Sequence, residues 1–161
     1  MYSKPKKYYS QKEALAKLQR YCAYQERCHH EVKEKLSGFG IWGDWADQII
    51  VRLIEENFLN EERYAGCIVR GKFKYKKWGR IKIIQRLKEK RISPNLIRLS
   101  LKEISEEDYL ATLQLLIEKK DDSLHLKETD PFKRKQKIAK YLQQKGYESP
   151  LIWEYLAMHF Q

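Results

Sequence analysis

The stretch FLNEERYAGCIVRGKFKYKKWGRIKIIQRLKEKRI, Phe58 to Ile92, decides how this chain is read. Between Arg70 and Arg91 it holds eleven basic residues against one acid, Glu89, a third of all the lysine and arginine in 22 residues. Apolar residues run through the charge: Ile68, Val69, Phe73, Tyr75 and Trp78, then Ile81, Ile84 and Leu87. The last three recur at every third position, which sends one helical face to a core and leaves the basic side chains on the other. Asn60 is placed to cap a first helix, with Glu61 and Glu62 at its positive end, and Gly79 separates that helix from a second. The pattern describes a scaffold for a positive surface, with no assembled catalytic centre.

The rest of the chain agrees with that emphasis. Its 161 residues suit one domain or a row of small units, and an apolar content of 42% argues against disorder. Seven glycines and four prolines among many Leu, Ile, Lys and Glu favour helix throughout. A net charge of +11 makes a polyanion the first partner to consider, with an acidic protein surface next. A basic exterior that serves solubility alone is the plainer alternative. No apolar run is long enough to cross a membrane and no signal-peptide pattern opens the chain. Three cysteines without framework spacing, Cys22, Cys28 and Cys67, fit reduced thiols and a cytoplasmic location.

Taken in order, residues 1–9 form a basic, aromatic arm, and Ser10 with Glu13 makes a capping box for a helix carrying Leu15, Leu18 and Cys22. A second helix is expected from about His29 to Leu36, and a third capped by Asp44 and closing near Asn57. After the two helices of the middle stretch, Ser93-Pro94 opens one that continues through Ile104, and Ser105 opens the next. The polar run KKDDSLHLKETD, 119–130, reads as a loop. Asp130-Pro131 and Ser149-Pro150 then each start a further helix, the ninth and last being at the C-terminal end.

Nine helices divide into threes. Val32 and Leu36 before Gly40-Ile41 correspond to Ile83 and Leu87 before Arg91-Ile92, and to Ile138 and Leu142 before Gly146-Tyr147. The expected fold is therefore all-α: three tandem three-helix repeats over residues 10–59, 60–104 and 105–161, the second the most basic, stacked into an elongated, curved array.

These residues resemble the RecX family of recombinase regulators. Phe58-Leu59-Asn60-Glu61-Glu62-Arg63-Tyr64-Ala65 is similar to the family's motif at the start of its second repeat. Trp78-Gly79 with Lys82-Ile83, Leu87, Lys90 and Ile92 is similar to a second motif, and Lys137-Ile138, Leu142 and Lys145-Gly146-Tyr147 carry it into the third repeat. Arg80 stands where the family often has Pro, Arg91 where it usually has Gly, and Cys28 where Ser is the better cap. The resemblance implies a small α-helical, non-enzymatic regulator that binds the RecA recombinase filament on DNA, lies in its groove, and limits strand exchange and filament growth in DNA repair and the SOS response.

The candidate contact residues for filament or nucleic acid are Arg70, Lys72, Lys74, Lys76, Lys77, Arg80, Lys82 and Arg86. Lys133, Arg134 and Lys137 open a second patch, which goes on through Lys135, Lys140 and Lys145. Clustered charge with Phe73, Tyr75 and Trp78 interleaved fits phosphate binding, and a solvated helix face is the alternative. At helical spacing those aromatics also fit a core. Arg80 is expected at the surface with its neighbours. Cys28-His29-His30-Glu31 is the one metal-like cluster and lacks the second half of a zinc site, so neither metal nor other cofactor is expected. The reading is a monomeric regulator of the RecA filament that also binds single- and double-stranded DNA weakly and salt-sensitively. A stand-alone helical DNA-binding protein, acting in transcription or on the nucleoid, is the alternative. A metal-dependent nuclease is a distant third.

Overall fold

The computed structural model describes residues 8–161, which are all-helical and contain no strand. Nine α-helices appear among them: α1 (Gln11–Tyr24), α2 (His29–Gly38), α3 (Gly43–Glu55), α4 (Glu61–Lys76), α5 (Arg80–Glu89), α6 (Pro94–Leu101), α7 (Glu106–Leu124), α8 (Pro131–Lys145) and α9 (Ser149–His159). Most of the expected N-terminal arm, residues 1–7, lies outside the described residues. Of its remainder, Tyr8 is exposed and Tyr9 packs on Phe39 with ring centroids 4.8 Å apart.

Five helix starts follow the expected capping chemistry. Side-chain oxygens of Ser10, Asn60, Ser93, Ser105 and Asp130 accept from the backbone N–H groups of Glu13, Arg63, Leu96, Asp108 and Phe132 at 2.9–3.3 Å. Each such cap typically stabilises by about 0.5–2 kcal/mol.

Four other expectations need correction. Trp42, not Asp44, holds the cap position of α3, so Asp44 sits inside the first turn and acts only through its charge on the positive helix end. The sixth helix stops at Leu101, short of Ile104. Glu148 replaces Ser149 as the residue before α9, and its carboxylate is engaged elsewhere. Only 125–130 of the expected loop is non-helical, because α7 runs on to Leu124. That extension is held from inside: Leu124 packs on the core, and Asp121 accepts from Arg134 Nε at 2.8 Å and pairs with His159 Nε2 at 2.8 Å.

The threefold pattern has a single backbone signature. The carbonyls of Leu36, Leu87 and Leu142 accept from the N–H groups of Ile41, Ile92 and Tyr147 at 3.0–3.1 Å. The intervening residues Gly40, Arg91 and Gly146 are left-handed, with φ of 77°, 58° and 95°. This is the six-to-one closure of a Schellman turn, and in all three copies the two apolar residues that bracket it are buried together. Arg91 therefore makes the turn despite its Cβ, which costs more than at Gly but less than forgoing the buried Leu87–Ile92 contact.

Two hydrophobic cores result. The first triplet builds one from Ala14, Leu18, Val32, Leu36, Ile49 and Leu53 with their neighbours. The second and third triplets share the other, around Val69, Ile83, Leu87, Tyr109, Ile138 and Tyr147, and Cys28 is the one buried side chain of the first triplet that enters it.

Glycine lets the second and third triplets meet backbone to backbone. No side chain caps α5. Its first donors go instead to the third triplet: Gly79 N–H to Lys145 C=O at 2.8 Å, Arg80 N–H to Tyr109 Oη at 3.0 Å, and Ile81 N–H to Gly146 C=O at 2.9 Å. In return, the carbonyls at the end of α4 accept from Lys145 Nζ (Lys76, 3.0 Å) and Tyr147 Oη (Lys77, 3.0 Å). Orphan groups of three helix ends thus satisfy one another.

Gly79→Ala should be far costlier than an ordinary helix-end substitution, because the new Cβ would lie 2.3 Å from the Gly146 carbonyl oxygen. A loss of about 1–3 kcal/mol or more is expected in urea unfolding, as for overpacking a core. Gly71→Ala, in the middle of α4 with no atom within 4 Å of the new methyl, should gain about 0.5–1 kcal/mol. Equal effects of the two would refute the close approach.

A second measurement concerns Asp121. Burial works to raise its pKa, but hydrogen bonds from His159 and Arg134 outweigh it and hold the carboxyl below its ordinary range. A depressed folded-state pKa contributes stability above the unfolded value that is lost as pH falls through the folded one. Asp121→Asn should therefore lower stability by about 1–3 kcal/mol at neutral pH, and the gap to the parent should close in acid below the carboxylate range. A gap that persists unchanged at low pH would contradict the ionic role.

Candidate nucleic-acid interface

The corner between α4 and α5 collects the charge. The helix α4 ends on Lys77 in the left-handed conformation, φ 57°, so the chain turns sharply and presents Trp78 beside the face of α5. The Trp78 ring, half-buried against the core, has Lys82 Nζ 4.5 Å, Lys72 Nζ 4.9 Å and the Arg86 guanidinium 5.5 Å from its centroid. Lys76 and Lys145 extend the cluster across the joint between the second and third triplets. Burial, then Arg86, then Lys76 lower the pKa of Lys72. Burial, then Lys82, then Lys76 do the same to Lys145. These cations feel one another, and among the described residues the only carboxylate paired with any of them is Glu89, 4.0 Å from Arg86.

The remaining candidates divide by partner. Lys74 is exposed, its Nζ 5.4 Å from the Tyr75 ring centre. Lys77 joins it and Arg70 along a groove of about 430 Å³ whose floor includes Phe73, Ile104 and Leu115. Lys133 is exposed near the start of α8. Four others are turned toward carboxylates of this chain: Arg70 toward Glu103, Arg134 toward Asp121, Lys137 toward Glu128 at 3.1 Å, and Arg80 toward both Glu106 and Glu148.

Arg80 departs most from expectation. Instead of lying free at the surface it is only 25% exposed, stacks its guanidinium on the Tyr109 ring at 3.8 Å, and donates to Glu148 at 2.9 Å and to Glu106. Burial opposes its charge, yet the hydrogen bond it donates to Glu106 and the charge of Glu148 raise its pKa above the usual arginine value. The Tyr109 hydroxyl, fully buried, donates to Glu148 as well, so Arg80 completes a polar knot inside the joint. Its partners lie 26 and 68 residues away, and no local pattern announces them. Lys145 is the converse case. Its sequence neighbours place it with the second patch, and the fold carries it to the first.

The metal-like cluster is dispersed. Cys28 is buried in the core, His29 pairs with Glu61 at 3.3 Å, His30 with Glu34 at 3.1 Å, and Glu31 accepts from Tyr64 Oη at 3.2 Å. Among the described residues no three His, Cys, Asp or Glu side chains gather as a metal site would need. No helix among them is long and apolar enough to cross a membrane.

Comparison with known proteins places this architecture. The family model for the second three-helix domain of RecX matches residues 60–107, and that for the third three-helix domain of RecX matches 106–156. The regulatory protein RecX of Clostridium perfringens strain 13 is 35% identical over 118 residues, 73% of this chain and 55% of the relative. RecX of Lactobacillus johnsonii is 29% identical over 151 residues, 92% of this chain and 54% of the relative. The chain thus spans little more than half the length of these relatives. A crystal structure of RecX from Lactobacillus salivarius shares the fold, with a TM-score of 0.81 at 24% identity, covering 92% of this chain and 95% of that one. With two successive domain models matched along one all-helical chain, this protein belongs to the RecX family of regulatory proteins.

Proposed function

We propose that this protein regulates a RecA-type recombinase filament on DNA, chiefly as an inhibitor, by seating its α4–α5–α8 surface on the filament and its bound strands. The observation that carries this reading is the cluster of Lys72, Lys76, Lys82, Arg86 and Lys145, five cations that among the described residues pair with one carboxylate, Glu89, 4.0 Å from Arg86. Like charges held this close repel one another, and an incoming row of phosphates or acidic side chains relieves that repulsion while releasing counterions.

Regulation here works by occupancy. A surface that tracks the strand and neighbouring recombinase subunits competes with duplex DNA for the groove and blocks subunit exchange, with no bond made or broken. ATPase and coprotease activities of the filament fall as a consequence. Arg70, Arg80, Arg134 and Lys137 serve the protein's own folding in this scheme, while Lys74 and Lys77 flank the corner and Lys133 lies toward the other end of α8. A reducing cytoplasm suits the thiols: Cys22 and Cys28 are buried, and burial pushes the Cys22 thiol up to about 11, which suppresses its thiolate.

The test replaces Lys72, Lys76 and Lys82 together by Gln, which keeps the apolar stems and removes three charges. Thermal melting should stay close to the parent, since exposed or half-exposed charges contribute about 0–1 kcal/mol each to folding. Affinity for DNA should fall by about ten-fold or more at low salt, with the slope of log K against log salt shallower by about 2–3. Inhibition of DNA-dependent ATPase on preformed filaments should need correspondingly more protein. A folded variant that binds DNA and inhibits the filament like the parent would reject the reading. Lost DNA binding with undiminished inhibition would show that the cluster serves DNA alone.

A further inference from the structure

We infer that Trp78 is a stacking platform for an unpaired base of single-stranded nucleic acid, with Lys72, Lys82 and Arg86 as its phosphate clamps. The inference rests on reading this face as a polyanion surface and adds the kind of strand it takes.

The geometry around the ring favours a ligand that is both flat and anionic. Three cations stand 4.5–5.5 Å from one indole centroid. Cations also sit over packing rings here, two each at Tyr21, Tyr141 and Phe160, but Trp78 gathers three and lies in the corner where cations outnumber acids. Here the indole packs on the core and stays half-buried, and it lines a shallow cleft of about 110 Å³ together with Lys82, Gln85, Arg86 and one acid, Glu89. Gln85 is exposed and offers two donors and an acceptor to any base edge, which suits binding without sequence preference. The lysine heads are on flexible stems, so a base that slides onto the ring displaces them sideways onto its own phosphates.

Duplex DNA cannot use the indole in this way, since its bases are already stacked on one another, and it meets only the charges. An acidic peptide likewise satisfies the cations and leaves the ring unused. The strand that engages every group at the site is a single one.

Replacing Trp42, Trp45 and Trp153 by Phe leaves Trp78 the sole tryptophan of the four, so its fluorescence reports the site directly. The three replaced rings are exposed, at 64%, 62% and 38%. Oligothymidylate should quench Trp78 to saturation in step with binding followed by anisotropy of a labelled strand. A duplex of equal length, bound to saturation, and polyglutamate should leave the emission nearly unchanged. In the otherwise native chain, Trp78→Leu should weaken oligothymidylate binding by about ten-fold or more and duplex binding by no more than about two-fold. The inference is overturned if oligothymidylate does not bind, if it saturates without quenching, if duplex or polyglutamate quenches equally, or if Trp78→Leu weakens both strands alike. Should Trp78→Leu unfold, the quenching in the sole-tryptophan protein decides alone. Inhibition of recombinase filaments by the lysine variants does not require stacking, so the wider functional reading stands or falls on its own measurement.

Discussion

The approach of Gly79 to Gly146 is the constraint on which the joint between the second and third triplets depends. Where two backbones touch, helix ends can exchange hydrogen bonds without an intervening side chain, and here α4, α5 and α8 do so. The bonds are directional, so they fix the angle between the second and third triplets as well as their distance. Everything placed around that contact inherits its precision: the Arg80–Glu148–Tyr109 knot on one side, and the crown of cations over Trp78 on the other. Lys145 shows the economy of the arrangement, since its ammonium group both donates to the Lys76 carbonyl and adds its charge to the half-buried cluster.

Not every cation of the chain is available to a partner: among the described residues eight lysines and arginines pair with carboxylates of the chain itself. Arginines and lysines that meet a carboxylate of their own chain lose most of their attraction for an outside polyanion, because the local field is already neutral. Charge density along the sequence therefore overstates some positions and understates others. What distinguishes the α4–α5–α8 corner is the near-absence of acids within reach, and that is a property of three dimensions. The same corner also holds the one aromatic ring on which, among the described residues, three cations converge.

How much of this was legible in the sequence follows from the range of each interaction. Helix starts at Ser10, Asn60, Ser93, Ser105 and Asp130 are local, set within three residues, and were readable. So was the threefold pattern, because Leu36, Leu87 and Leu142 each close their turn with a residue five positions on. The extension of α7 past residue 119 was not, since Asp121 is stabilised there by Arg134 and His159 from later helices. Arg80 and Lys145 failed to declare themselves for the same reason. Their partners are 26 to 69 residues distant, and only the assembled joint brings them into contact.

The separate core of the first triplet has a mechanical consequence. Between the second and third triplets the join is apolar and backbone-bonded, hence stiff. Toward the first it is mostly ionic: Glu26 holds Arg63 at 2.7 Å, Glu61 holds His29, and Lys90 and Tyr64 share Glu31, with one carboxylate oxygen each of Glu26 and Glu31 buried and unpartnered. These groups are half-buried, so salt screens them less than it would exposed pairs. The first triplet is thus joined by directional polar contacts and the other two by apolar packing and backbone bonds, so truncating a single partner at the first seam strands a buried carboxylate.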